Sequence, residues 1–368
     1  MMLAALSDDE RLQWHRLAQC ENVGPITFKQ LLARFASAAA ALDALPELSR
    51  RGGSRRVIRI YDAGRAEADF VAAARLGARY VAFCESDYPE LLRHAPAPPP
   101  LICVKGHTDL IKLRIIAMVG ARNASANGMR FTRQIAGELG QADFVIVSGL
   151  ARGIDTAAHE ASLSAGTIAV VAGGIDHIYP PENAKLQDAI AERGLVLSEM
   201  PPGTVPKAES FPRRNRIIAG LAEATVVVEA ALRSGSLTTA RFANEAGREV
   251  YAVPGSPLDP RCEGTNGLIK DGANLLQRAS DISGAQALLV MQLHEEPMHN
   301  NQPTHEAPSA LRARVAQLLS PTLVEVDDLV RESGGRPEEV QGILLELELA
   351  GEVQRSGGGR IARIGSSA

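Results

Sequence analysis

Seven short apolar runs, at residues 80–83, 115–119, 144–147, 168–171, 195–197, 225–228 and 250–253, constrain this chain more than any other feature. Most are rich in valine or isoleucine, and polar residues do not alternate with apolar ones inside them. A strand with one wet face alternates, whereas a strand covered on both faces does not. Segments with helical spacing lie between the runs, among them residues 126–139, 154–164 and 184–193. Unbroken apolar strands in alternation with helices predict an α/β fold, a Rossmann-like doubly wound parallel sheet with helices on both faces.

Both flanks of this region have a different texture. Residues 1–75 read as short helices, with Leu12 and Leu17 before an Asn22-Val23-Gly24-Pro25 break and Leu31, Leu32 and Phe35 after it. That pattern fits a helix-hairpin-helix or SAM-like module or a plain helical bundle; a helix-hairpin-helix can hold a DNA backbone, and it usually carries a second glycine where this chain has Asn22. A basic run follows, Arg50, Arg51, Arg55, Arg56 and Arg59, and reads as a solvated face. The central domain is expected over residues 76–290. Residues 291–307 are polar, Pro-bearing and aperiodic, so they read as a linker rather than a metal site despite His294, His299 and His305. Residues 308–368 give three short helices and a hairpin, the pattern of a winged helix. Its third helix carries Glu338, Glu339, Glu346 and Glu348, acids that would repel phosphate, so a protein-contact role is expected of it.

Composition excludes several classes. With 45% hydrophobic residues the chain is not disordered throughout. No apolar stretch reaches the length of a membrane span, and Asp8, Asp9 and Glu10 stand where a secretory signal would be basic and then apolar. Cys20, Cys84, Cys103 and Cys262 are far apart with no C-x-x-C pair, which argues against zinc and against a disulfide framework. A cytoplasmic protein is the expectation.

In an open parallel sheet, ligands bind beyond the carboxyl ends of the strands, where helix N-termini point. Those ends carry Gly120-Ala121-Arg122, then Ser148-Gly149 with Arg152-Gly153, then Gly173-Gly174, and then Tyr179-Pro180 with Asn183. Farther along come Glu199, Phe211 with Arg213, Arg214, Asn215 and Arg216, and Arg233-Ser234-Gly235. Glycine admits close approach of backbone N–H groups to a ligand. The net charge is only -4, yet Arg122, Arg152, Lys185, Lys207, Arg213, Arg214, Arg216 and Arg233 all fall on this rim. That concentration reads as a phosphate-binding edge, with some cations expected to pair with Asp155, Asp176, Glu199 and Glu229.

No G-x-x-x-x-G-K-[ST] loop occurs, no G-x-G-x-x-G with its downstream acid follows the first parallel strand, and neither G-x-S-x-G nor H-E-x-x-H is present. His159 lies inside a helical segment and reads as a residue that orders a loop rather than as a base. A binder without catalysis, cofactor or metal is expected.

The motifs VGAR (119–122), SGLARGIDTAAH (148–159), Y-P-x-x-N (179–183), FPRRNRIIAGLA (211–222), VVVEAALRSGSLTTA (226–240) and AVPG (252–255) occur in that order. Together they resemble the bacterial DNA processing protein A (DprA/Smf) family over roughly residues 80–280. The resemblance implies an extended Rossmann domain that binds single-stranded DNA, dimerises, and helps to load RecA recombinase in transformation or recombination. It implies a DNA pocket at Arg122, Phe211, Arg214 and Arg216, with Lys185 and Lys207 as further candidates. A single strand offers phosphates to arginines and bare bases to a ring, which makes Phe211 a stacking candidate alongside its other reading as a staple for the helix after it. The competing class is a phosphoribohydrolase acting on nucleoside monophosphates, whose P-G-G-x-G-T-x-x-E signature is represented only by Pro254-Gly255.

Overall fold

The β-branched runs become the interior of a nine-stranded sheet, in the order β1-β2-β6-β5-β4-β3-β7-β8-β9. The strands are β1 (Ala78–Ala82), β2 (Leu101–Gly106), β3 (Arg114–Val119), β4 (Phe144–Ser148), β5 (Thr167–Val171), β6 (Leu195–Ser198), β7 (Ala224–Val227), β8 (Glu249–Ala252) and β9 (Asn274–Leu275). The computed structural model describes residues 5–54, 56–282, 309–356 and 359–364; the expected linker at 291–307 lies outside them. Contacts divide these residues into two units, one of residues 69–282 and one joining residues 6–68 to 309–364.

In the first unit β3 to β9 pair in parallel, as the unbroken apolar runs of β3 to β8 predict; the short β9 is exposed. The edge departs from expectation: β1 runs antiparallel to β2, and β2 antiparallel to β6. The run at 80–83 is therefore an antiparallel strand, and its partner β2, which follows the prolines at 96 and 98–100, was not among the runs read from the sequence. One core cluster packs Ile116, Met118, Ile146 and Val226 of the sheet against Ile135 and Leu139 of the helix Ala126–Gln141. Each such side chain, fully buried, contributes about 1.5–3 kcal/mol. Strand order turns between β3 and β7: β4, β5 and β6 lie to one side of β3, while β7 and β8 lie to the other. The loops after β3, β4 and β7 therefore part above this point and leave a crevice.

In the second unit four helices open the chain: α1 (Asp8–Ala18), α2 (Pro25–Phe35), α3 (Ala38–Arg51) and α4 (Ala63–Arg75), the last running on into the first unit. Ser7 and Glu10 form a reciprocal cap on α1, and Trp14 meets Phe28 edge-on at 5.1 Å. In the turn between α1 and α2, Asn22 adopts φ 61°, the left-handed conformation in which glycine is the usual residue. The winged helix has helices at Ser309–Leu318, Val326–Ser333 and Pro337–Leu349, with β10 (Val324–Glu325), β11 (Val353–Ser356) and β12 (Arg360–Arg363) in the order β10-β12-β11.

Its third helix, Pro337–Leu349, is apolar on nearly every side. Val340, Ile343, Leu344 and Leu347 fill the winged-helix core, while Leu345, Glu346 and Leu349 are buried outside that cluster. The same helix packs on α2 and α3 of the N-terminal segment. Three of its acids are paired: Glu339 with Arg336 at 2.8 Å, Glu346 with Arg312, and Glu348 with Arg355 at 3.1 Å. Burial, opposed by Arg355, pushes the Glu348 carboxyl up. The expected protein contact thus lies inside the chain, and it is occlusion rather than a free acidic face that distinguishes this helix.

Candidate functional site

Four loops are stitched together around the crevice, those after β3, β4, β5 and β7. After β3, Gly120 passes so close to Ile154 that a Cβ would lie 2.6 Å from its Cγ1. After β4, Leu150 takes φ 55° and Gly153 φ 74°, and a Cβ on Gly153 would sit 2.3 Å from the Ala121 carbonyl oxygen. The Ile154 N–H donates to that carbonyl at 3.2 Å, joining the two loops. The Ser148 hydroxyl donates to Met118 O at 2.6 Å. Asn183, last residue of the Y-P-x-x-N motif, donates to Leu150 O and Thr156 Oγ1, both at 2.9 Å. Glu229, beyond β7, accepts from the Ser125 N–H at 2.9 Å and its hydroxyl at 2.6 Å, fixing the start of the helix Ala126–Gln141.

Arg214 lies at the base of the crevice. It sits in the first turns of the helix Ser210–Leu221 and is only 6% exposed. Its guanidinium lies over Gly149, where a Cβ would be 1.4 Å from Nη1, so only glycine admits it. Burial pushes its pKa down to about 10, with Asp155 opposing the shift and Arg122 adding to it; it stays cationic at neutral pH. Asp155 is buried too and accepts from the N–H groups of Gly149 at 3.1 Å and Ala151 at 3.3 Å. Burial pushes its carboxyl up, against the pull of Arg214. Among the described residues, Arg214 Nε and Nη1 have no hydrogen-bond partner. A buried cation with two unused donors is costly unless something accepts from them.

Above Arg214 the walls are aromatic and basic. The Arg122 guanidinium stands 5.4 Å from the centroid of the Phe211 ring, and Tyr179 meets the same ring at 5.4 Å with 54° between planes. These residues and Arg152 line one shallow pocket with Gly149 and Arg214. Among the described residues, no carboxylate lines it. The pocket can take an anionic group at its floor and a flat apolar surface at its rim.

The remaining candidates separate by partner. Arg152 pairs with Glu182. Arg213 and Arg216 share Glu199, and Arg216 also donates to the Ala97 carbonyl; burial would raise the Glu199 carboxyl, but the two arginines outweigh it and hold it low. Arg216 is thereby engaged by Glu199 and Ala97 and does not line the pocket. Asp176 accepts from Gly203 N–H at 2.8 Å and takes no rim cation. Asn215 donates to Gly235 O at 3.2 Å, and Ser234 caps the helix Gly235–Glu245, so these three brace a neighbouring loop. Lys185, Lys207 and Arg233 are exposed and form no ion pair among the described residues. His159 is fully buried, with Nδ1 at 2.8 Å from Thr167 Oγ1, and burial lowers its pKa to about 3; it pins a helix to β5. Sequence reasoning passed over Tyr179 as a site residue, although its place after β5 in a rim motif was the signal. Among the described residues no three metal-ligating side chains cluster, and no helix is long and apolar enough to cross a membrane.

A doubly wound parallel sheet with a buried guanidinium and two rings at its strand ends is a protein of the Rossmann class with a candidate site at the carboxyl edge. The chain belongs to the DNA recombination-mediator protein A family, whose profile matches residues 79–286. A DprA-like N-terminal HHH domain matches residues 8–72 and a DprA winged helix domain residues 285–359. The chain is 32% identical to protein Smf of Synechocystis over 97% of its own length and all of the relative's. It is 39% identical to protein Smf of Escherichia coli over 74% of each chain. Among solved structures, DNA processing protein A of Streptococcus pneumoniae superposes with a TM-score of 0.63 at 34% identity, covering 76% of this chain and 98% of that one. DNA processing protein A of Helicobacter pylori, described by its single-stranded DNA binding mode, superposes at 0.52 with 30% identity over 58% and 96%.

Proposed function

We propose that this protein binds single-stranded DNA in the crevice beyond the carboxyl ends of β3, β4, β5 and β6 and passes it to a RecA recombinase, without catalysing a reaction on it. The observation that carries this reading is the buried Arg214, with two unused N–H donors beneath Arg122, Phe211 and Tyr179. A phosphate at the pocket floor is drawn to the Arg214 cation, and a base laid on the rings gains about 1–3 kcal/mol of stacking. A duplex keeps its bases stacked inside and offers the rings nothing. Lys185, Lys207 and Arg233 extend the path for further phosphates, and contacts of this kind favour no sequence. The described binding mode of the Helicobacter pylori relative supports the ligand, and the family's recombination-mediator role supports RecA as partner. A homodimer in the cytoplasm completes the reading. The absence of a carboxylate from the pocket lining counts against nucleoside monophosphate cleavage.

Fluorescence anisotropy with labelled single- and double-stranded oligonucleotides tests the proposal. The single strand should bind more tightly by tenfold or more, and Arg122→Ala should weaken it several-fold with unchanged circular dichroism. Equal affinity for both strands, or an unaffected Arg122→Ala protein, would sink the crevice as the DNA site. Sedimentation reads the dimer, and RecA filament formation on protein-coated DNA reads the hand-over.

A further inference from the structure

The turn of a helix-hairpin-helix is where such a module meets a DNA phosphate, and in this chain that turn is already occupied. Asn22 Nδ2, from the α1–α2 turn, donates to Leu349 O at 3.2 Å, and the Ser49 hydroxyl approaches the same carbonyl at 3.4 Å. Leu349 ends the third helix of the winged domain, so the carbonyl belongs to a helix C-terminus, which carries partial negative charge. A protein carbonyl stands in the place of a phosphate oxygen. The contact continues along the helix: Gln30 donates to Gln341 at 3.2 Å, and Arg312, paired with Glu346, also donates to Arg51 O. Gly52 is the tightest point. A Cβ there would lie 2.0 Å from Glu346 O and 2.8 Å from the Ala350 Cβ. Its own backbone, at φ −69° and ψ −6°, would accept alanine without strain. The glycine is thus required by the neighbouring helix and not by its own.

We infer that the N-terminal hairpin is a protein-docking site whose occupant is the winged helix of the same chain, and that neither module holds DNA. Both surfaces that such modules would turn to nucleic acid are spent on each other: the hairpin turn on Leu349, and the third helix on α2 and α3. Asn22 has exchanged the role of a phosphate-binding glycine for that of a left-handed turn residue with a donor side chain. The pairing also explains why the third helix is buried on two sides: Leu345 and Leu349 are buried outside the winged-helix core cluster. None of this depends on the crevice being a DNA site.

The test uses the full chain with Gln30→Cys and Gln341→Cys, treated with a short bis-maleimide. All four native cysteines are buried, so the introduced pair is the reactive one. A cross-link within one chain is expected in most molecules. The locked protein should bind a labelled oligothymidylate and a labelled duplex within about twofold of the unlocked one. Gly52→Ala in the same background should lower the cross-linking yield several-fold and leave affinity for both probes within about twofold. No cross-link, a product of two chains, a yield indifferent to Gly52→Ala, or a fivefold loss of either affinity on locking would each overturn the inference. Should the crevice prove not to bind single-stranded DNA, the cross-linking result still stands or falls alone.

Discussion

Gly149 and Arg214 show how one missing methyl group can make a site. The guanidinium occupies the space that any side chain at 149 would fill, and Asp155 draws it inward while organising the same loop through Gly149 and Ala151. Gly149→Ala should therefore displace Arg214 and lower single-strand affinity by tenfold or more, with secondary structure intact. An anisotropy titration beside a thermal melt checks this; a variant that binds as the parent does would show that Arg214 is a structural cation only. The arginines of the F-P-R-R-N-R segment look equivalent in sequence and are not. Arg213 and Arg216 are held by Glu199, and Arg214 alone is buried over the crevice floor. Which of three neighbouring cations stays free depends on a glutamate and a carbonyl far away in the chain, and no local pattern encodes that.

Between elements, His159 ties the helix Ile154–Ser162 to β5, and its pKa of about 3 makes the tie sensitive to pH. An imidazole with a folded value below its unfolded one adds stability that is fully present above the unfolded value near 6.5 and is lost as pH falls toward 3. Over that window the slope is about 1.4 kcal/mol per pH unit. Urea unfolding at pH 7 and pH 5 should show the wild type losing roughly 2 kcal/mol more than His159→Gln. Equal losses would mean that the histidine does not govern this window. Parallel strands and their helices were readable because burial on both faces leaves an unbroken apolar signature. The antiparallel β1–β2 edge was not, since direction of pairing leaves no mark within a five-residue strand, and β2, which follows the prolines, was not among the runs read from the sequence.

For the whole molecule, the affinity should follow the cations that the fold leaves free. If three to five phosphates are neutralised by Arg122, Arg214, Lys185, Lys207 and Arg233, log affinity should fall against log salt with a slope of about −2 to −3.5. Titrations at several salt concentrations read this slope, and a value near zero would rule out the rim as a phosphate track. Deleting the winged helix would be a poor probe of DNA binding, because removal strips the cover from α2 and α3; cross-linking and Gly52→Ala separate docking from folding.

The sequence by itself determined the sheet class, the three-part organisation, the rim that carries the candidate site residues and the family, because each is written in local periodicity or in short motifs at strand ends. Tertiary structure alone decided which rim arginines are spent and which is left unsatisfied. It also decided that the terminal modules face each other, with Asn22 meeting Leu349 across most of the chain. Those outcomes depend on which carboxylate, carbonyl or helix end arrives beside a residue from far away, and the energy of a buried charge or a close backbone approach exists only once the chain has folded.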